Sequence, residues 1–327
     1  MSVQITVIGL GRIGTSIGLA LGGKETGVYR VGHDRQLENE RAAQKQGAID
    51  KADHNLPSAV RDARLVILSL PLSQMPRTLE VIGPELQEGA VVLDTSPVKV
   101  EMVNWAAKHL PKARYYVGLI PSINPEKLHE LDIGGGAASA DLFRKSVFVV
   151  DAPMGTPEVA VTIACNFIEL LGATPLLSEV QESDGLAATA HLMPQLTAAA
   201  ILNATVDQPG WEDARKIASR AFAAMTSGLA YHDELDSLRI AALQNRTNVV
   251  RVLDMLVSAL KAMRDDIEQG DEAGLAERLE AAREGRERWI NERLAADWSH
   301  ATAPREEIPS IAERLFGTAI LKPRRGA

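Results

Sequence analysis

The chain has 327 residues, too many for one ordinary hydrophobic core and enough for two domains. Hydrophobic residues make up 46% and charged residues 24%, a soluble globular composition, while aromatics are only 4%, so the cores must rest on Ala, Val, Leu and Ile. A formal charge of −8 and a pI near 5.5 argue against a nucleic-acid footprint and against binding an anionic membrane by bulk charge, yet leave room for a local basic pocket.

Residues 3–8, VQITVI, form a β-branched run. GLGRIGTSIGLAL follows, a glycine turn leading into apolar residues at helical spacing. VYRVGHD (28–34) reads as a second strand and QLENERAAQKQG as a polar helix stopped by Gly47. LVILSLP (65–71) is a continuous apolar run, typical of a parallel strand buried on both faces. A helix over 73–82, a strand AVVLDTS (90–96), a helix EMVNWAAKHL and a strand YYVGLIP (115–121) come next. SVFVVDA (146–152), the helix PEVAVTIACNFIELLG and TPLLS close the series. This alternation predicts a doubly wound parallel sheet, an α/β Rossmann domain over 1–178.

From residue 179 to 298 the pattern is helical: QESDGLAATAHLMPQLTAAAILNATV, WEDARKIASRAFAAM, a long helix over 234–269, and EAGLAERLEAAREGRERWINERL. Pro194 should kink the first of these near 190–194. Residues 299–327 read as a tail with a short amphipathic helix, IPSIAERLF. The single cysteine, Cys165, sits in an apolar helix and is expected to be a buried structural thiol. No basic leader is visible and no apolar run approaches the ~20 residues of a membrane span, so a cytoplasmic protein is expected. An Ala- and Leu-rich helical domain predicts a face buried against a second copy.

Gly9, Gly11 and Gly14 form G-x-G-x-x-G between a strand and a helix, a pattern that is weak alone and strong in this setting. The first glycine permits the turn, the second lets backbone approach a pyrophosphate, and the third lets helix and strand pack closely. Arg12 and Ile13 open the helix whose N-terminus would face the phosphates. Asp34, ending the second strand, suits a ribose diol and favours NAD, whereas Arg35 beside it would suit the 2′-phosphate of NADP. Leu70 and Pro71, at the carboxyl end of a strand, should flank the adenosine and nicotinamide ribose. The histidines show no metal-ligand spacing, and no metal site is expected. Gly134–Gly136 read as a flexible loop suited to a mobile lid.

The order of segments resembles the prephenate/arogenate dehydrogenase family of tyrosine biosynthesis over roughly residues 3–295. The resemblance rests on GLGRIGTSIGLAL, VGHDR, LVILSLPL, VVLDTSPVK, LLGATPLLSEVQESDGLAATAHLMPQL and GWEDARKIAS. It implies a Rossmann domain followed by an all-α dimerisation domain with 6-phosphogluconate-dehydrogenase-like C-terminal helices. It further implies oxidation of a ring hydroxyl by hydride transfer to nicotinamide, with loss of CO₂. In the family a His in G-H-P-M-A-G handles the hydroxyl proton and a Ser in D-x-G-S-x-K supports it. The last His of S-H-L-P-H and the Arg of T-R-I-A help hold the substrate.

This sequence departs at each of these positions. Pro97 stands at the Ser position, with Ser96 next to it and Lys99 retained. Ile120 stands at the catalytic His position, followed by the retained Pro121, and no His lies between His109 and His129. Gln195 replaces the final His, His191 the leading Ser, and Lys216 the Arg, with Arg215 beside it. Ile120 cannot act as a base, and Lys216 keeps the charge without the bidentate fork. His191 and Lys99 are then the candidate catalytic groups. Ser96, Asn124, Gln195, Arg215 and Lys216 are the candidates for a small anionic substrate, though Asn124 could equally be a turn residue before Pro125. Three functions stay open: a prephenate/arogenate-type dehydrogenase, a keto- or imino-acid reductase on the same scaffold, and a non-catalytic dinucleotide-binding sensor.

Overall fold

The computed structural model describes residues 2–22, 27–130, 135–229, 235–296 and 298. The expected 299–327 tail lies outside the described residues. The chain divides into two compact units, the first running through Ser183 and the second beginning at Asp184. The sequence placed the change of pattern near residue 179.

The first unit is built on an eight-stranded sheet: β1 (Val3–Ile8), β2 (Val28–His33), β3 (Lys51–Ala52), β4 (Ala63–Leu68), β5 (Val91–Asp94), β6 (Tyr115–Pro121), β7 (Val147–Asp151) and β8 (Thr174–Leu177). Their order across the sheet is β3-β2-β1-β4-β5-β6-β7-β8. The strands form because β-branched and apolar residues alternate across two faces that helices then cover. Ile5, Val7, Leu65, Ile67, Val91, Leu93, Val117 and Leu119 join one core with α1 (Arg12–Ala20), α2 (Leu37–Lys45) and α6 (Glu158–Leu170). The alternate residues Val66, Leu68 and Val92 are equally buried, as are Val60 of α3 (Leu56–Val60), Leu79 of α4 (Met75–Ile82) and Met102 of α5 (Val100–His109).

The sheet is parallel-dominated, as the sequence predicts, with one departure. β6 and β7 pair antiparallel, with Gly118 opposite Asp151 and Ile120 opposite Val149, and β8 follows β7 in the reversed direction. The cause lies in the connection. A parallel return needs a crossover, usually a helix, and between β6 and β7 the described residues hold only the short turns Pro125–Lys127 and Gly135–Ala137. Gly135–Ala137 does not stand away from the fold. A Cβ on Gly135 would lie 3.0 Å from the Leu10 carbonyl oxygen, and the Ser139 amide donates to Ser16 Oγ at 3.0 Å. This part of the expected lid is packed on α1, while Gly134 lies outside the described residues.

The second unit is helical: the end of α7 (Val180–Ala187), a π-turn at Ala188–Leu192, α8 (Met193–Thr205), α9 (Trp211–Ile217), α10 (Arg220–Thr226), α11 (Leu235–Gln244), α12 (Arg246–Gln269) and α13 (Glu272–Ala295). The deformation expected near 190–194 takes the form of that π-turn. Pro194 has no amide hydrogen, and the Met193 amide reaches back to the Ala188 carbonyl just before it. The helix expected over 234–269 is broken at Asn245, whose buried side chain donates to the Asp184 carbonyl at 2.7 Å. The segment 211–225 breaks between Ile217 and Arg220. Val180–Thr205 is, by length and composition, long and apolar enough to cross a membrane. No unbroken apolar run marks it in the sequence, because scattered polar residues interrupt the run without making the helix polar. Cys165 is half-buried. Burial, and then the charge of Glu169, push its thiol above the ordinary value, so it is a poor nucleophile.

Candidate dinucleotide and substrate site

The three glycines of the first turn are required for three different reasons. Gly9 has φ of 93°, and any Cβ there would run into the Ser69 carbonyl and come within 3.0 Å of Leu70 Cδ2. Leu70 thus packs on the turn, and Pro71 follows half-buried. A Cβ on Gly14 would strike the Gly9 carbonyl oxygen. A Cβ on Gly11 would meet nothing within 4 Å. Gly11 therefore borders open space, where a ligand backbone can approach. Gly11 is also the N-cap of α1 and no side chain caps the helix there. Helix α1, opened by Arg12 and Ile13, thus presents its N-terminus beside that open space, a setting that favours an anion. Arg12 pairs at 2.6 Å with Glu130 of the β6–β7 connection.

Asp34 is 8% exposed at the end of β2. Its Oδ2 accepts the Leu10 amide at 2.8 Å, and its Oδ1 accepts the Gln36 amide at 2.8 Å and Asn39 Nδ2 at 3.1 Å. The carboxylate is thus locked to the glycine turn. Arg35 is exposed beside it. These residues fit a dinucleotide: a backbone free to approach phosphate, a helix end without a cap, and a fixed carboxylate of the kind that binds a ribose diol.

Around β5 and β6 the structure differs from the expected site. Lys99 has no exposed surface. Its Nζ lies 2.9 Å from Asp94 Oδ2, and the Tyr116 hydroxyl donates to the same carboxylate oxygen. Asp94, Gly118 and Asp151 lie side by side across three strands. A Cβ on Gly118 would come within 2.8 Å of Lys99 Cδ and would strike Asp151 Oδ1. The missing side chain is what lets Lys99 lie across the sheet beside two buried carboxylates. Held this way, Lys99 ties the DTSPVK loop to β5 through Asp94 and offers no surface to solvent. Its partner Asp94, and the neighbouring Tyr116 and Asp151, were missed by sequence reasoning. The available signal was the alternation in YYVG, which puts Tyr116 and Gly118 on one face.

Ser96 is 4% exposed, and its hydroxyl donates to the Val98 carbonyl at 3.2 Å. Asn124 is 2% exposed. Its Oδ1 accepts the Glu126 amide at 3.0 Å and its Nδ2 donates to the Asp141 carbonyl at 3.1 Å. It caps the turn at Pro125, the turn reading that the sequence left open beside a substrate role. Ile120 is 5% exposed, on the same face of β6 as Tyr116 and Gly118.

In the helical unit, His191 is half-buried on the π-turn, a distortion that often accompanies functional sites. Gln195 Nε2 donates to the His191 carbonyl at 2.7 Å, while its Oε1 is buried with no hydrogen-bond partner. Such an orphaned acceptor is what a ligand donor would satisfy. Lys216 and Arg215 are exposed on α9, Lys216 pairing with Asp213 at 2.7 Å and Arg215 Nε donating to the Glu212 carbonyl.

The fold also joins residues that sequence spacing kept apart. His33, Glu40 and His54 present ligand atoms all within 4.8 Å of one another.

Comparison with known proteins agrees with the geometry. The family described as "Prephenate dehydrogenase, nucleotide-binding domain" matches residues 17–177. The chain is 25% identical over 300 residues to a prephenate dehydrogenase of Bacillus subtilis, covering 88% of this chain and 76% of that protein. It is 25% identical over 294 residues to a cyclohexadienyl dehydrogenase of Zymomonas mobilis, covering 86% of this chain and 94% of that protein. In fold it resembles the A. aeolicus prephenate dehydrogenase solved with hydroxyphenyl propionate and NAD⁺. The TM-score is 0.75 at 19% identity, over 88% of this chain and 99% of that one. The Synechocystis arogenate dehydrogenase gives a TM-score of 0.67 at 21% identity, over 88% and 99% of the two chains. With its glycine turn, its locked Asp34 and its parallel-dominated sheet, the nucleotide-binding unit of this chain belongs to the prephenate dehydrogenase family.

Proposed function

We propose that the chain is an NAD-dependent oxidoreductase of the prephenate/arogenate type, acting on a small cyclohexadienyl carboxylate in the cytoplasm. The observation that carries this is the open space at Gly11 beside an uncapped α1 and the locked Asp34 carboxylate. NAD supplies a hydride acceptor in its nicotinamide ring. The α1 amides bind the phosphates, Asp34 accepts from the ribose hydroxyls, and Leu70 and Pro71 wall the turn. A 2′-phosphate would meet the Asp34 charge, so NAD is preferred; exposed Arg35 is the group that would support NADP. His191 is assigned the acid/base role, and Gln195, Arg215 and Lys216 the substrate carboxylate. A homodimer through the helical unit belongs to the same reading, supported by apolar side chains exposed on α12.

The test is NADH formation with prephenate and with arogenate, alongside calorimetric NAD binding. Turnover with one of them, lost in His191→Asn while NAD binding persists, is the expected result. Absence of turnover with both substrates and both cofactors would defeat the proposal. A second reading, a dinucleotide-binding protein without turnover, is favoured by Ile120 at the family's histidine position and by the committed Ser96 hydroxyl; it predicts NAD binding alone. The keto- or imino-acid reductase loses its motivation, because Asn124 and Lys99 are both buried and engaged.

A further inference from the structure

We propose that His33, Glu40 and His54 bind one zinc-class divalent cation behind the Asp34 carboxylate. His33 ends β2, Glu40 lies in α2, and His54 follows β3, so the site exists only once these elements pack. Glu40 is 2% exposed, and its Oε1 already accepts the Asp34 amide at 3.0 Å. The same oxygen lies 3.1 Å from His54 Nδ1 and 3.6 Å from His33 Nδ1. Two imidazoles thus offer the same ring atom to one carboxylate oxygen whose hydrogen-bonding need is met by backbone. At 3.1 Å the His54 contact fits a hydrogen bond, whereas the 3.6 Å approach of His33 is too long for one; a shared cation would account for both imidazoles facing this oxygen.

The donor chemistry selects the ion. Two imidazole nitrogens and one carboxylate oxygen suit zinc and its neighbours, whereas magnesium and calcium favour oxygen ligands. Zinc binds such donors at roughly 2.0–2.2 Å, which sets neighbouring donors a little over 3 Å apart in a tetrahedron. The Glu40 separations of 3.1 and 3.6 Å are close to this. His54 has a side chain 52% exposed, free to rotate inward, and its open side leaves a fourth position to solvent. His33 Nδ1 also lies 3.1 Å from the Asp53 carbonyl oxygen. Binding requires that nitrogen to give up its proton and this contact, so protons compete with the metal. Asp53 itself is engaged by Lys51 and Ser58, and its carboxylate is not needed.

The experiment uses the untagged full chain, stripped with a chelator and titrated with Zn²⁺ against a chromophoric competitor. One equivalent should bind, and Co²⁺ in its place should give the intense visible bands of a tetrahedral ion. His54→Ala and Glu40→Gln should each weaken binding by more than the roughly 10–100-fold that outer-shell partners alone contribute. Glu40→Gln keeps an oxygen acceptor for the Asp34 amide, and half-exposed His54 can change without touching the core, so at least one variant folds. His129→Ala should bind as the parent does. Binding unchanged in His54→Ala, no stoichiometric binding, or an octahedral Co²⁺ spectrum would overturn the proposal. Metal binding is read directly, so this result does not depend on dehydrogenase activity.

Discussion

At the scale of single residues, the glycine turn separates folding from binding. Gly11→Ala places its methyl in open space, so it should reduce stability by about 1 kcal/mol or less, the scale of an N-cap change, while sharply weakening NAD binding. Gly14→Ala must displace the Gly9 carbonyl and should lower the melting temperature whether or not NAD is present. Calorimetric NAD titration beside thermal denaturation distinguishes the two outcomes. Asp53 carries a pH dependence of defined sign. Burial alone would push its carboxyl up, but hydrogen bonds from Lys51, Ser58 and the Asn55 amide, with the Lys51 charge, outweigh burial and hold it below its ordinary 3.8. A depressed folded value means the contribution is present above 3.8 and is lost as pH falls through the lower folded value. Asp53→Asn should therefore flatten the acid limb of a plot of melting temperature against pH.

At the scale of elements, what the sequence reveals depends on how local the cause is. β1 is legible as a β-branched run, β4 and β5 because each is built on a short unbroken apolar stretch, and the glycine turn because all its requirements fall within one segment. β3 is two residues, Lys51 and Ala52, with no period to detect. The reversal of β7 is hidden because a strand alternates in the same way whichever direction it runs; its trace is the lack of a helix-length pattern between β6 and β7. The Lys99 cluster draws on β5, β6, β7 and a loop, so no window of sequence contains it. His33 and His54 likewise come together only through packing around Glu40. The ladder at Gly118 is testable: Gly118→Ala forces a methyl against Asp151 and Lys99. It should cost about 1–3 kcal/mol, as overpacking does, measured as a lower urea midpoint.

At the scale of the whole molecule, the proposed homodimer rests on apolar side chains exposed on the helical unit. On α12, Val250, Val257, Leu260 and Ile267 are each more than half exposed, an arrangement a second copy would cover. Light scattering should give twice the 35.2 kDa chain mass. Leu260→Glu, which sets a charge in that face, should shift it toward a single chain. The burial of Lys99 has another consequence at this scale. Reductive methylation reaches an ammonium only where reagent can touch it, and Lys99 has no surface to offer. In the native protein it should stay unmodified while exposed lysines such as Lys51 and Lys145 react. Its rate of labelling, followed by peptide mass, then becomes a clock for opening of the sheet, readable before any substrate is known.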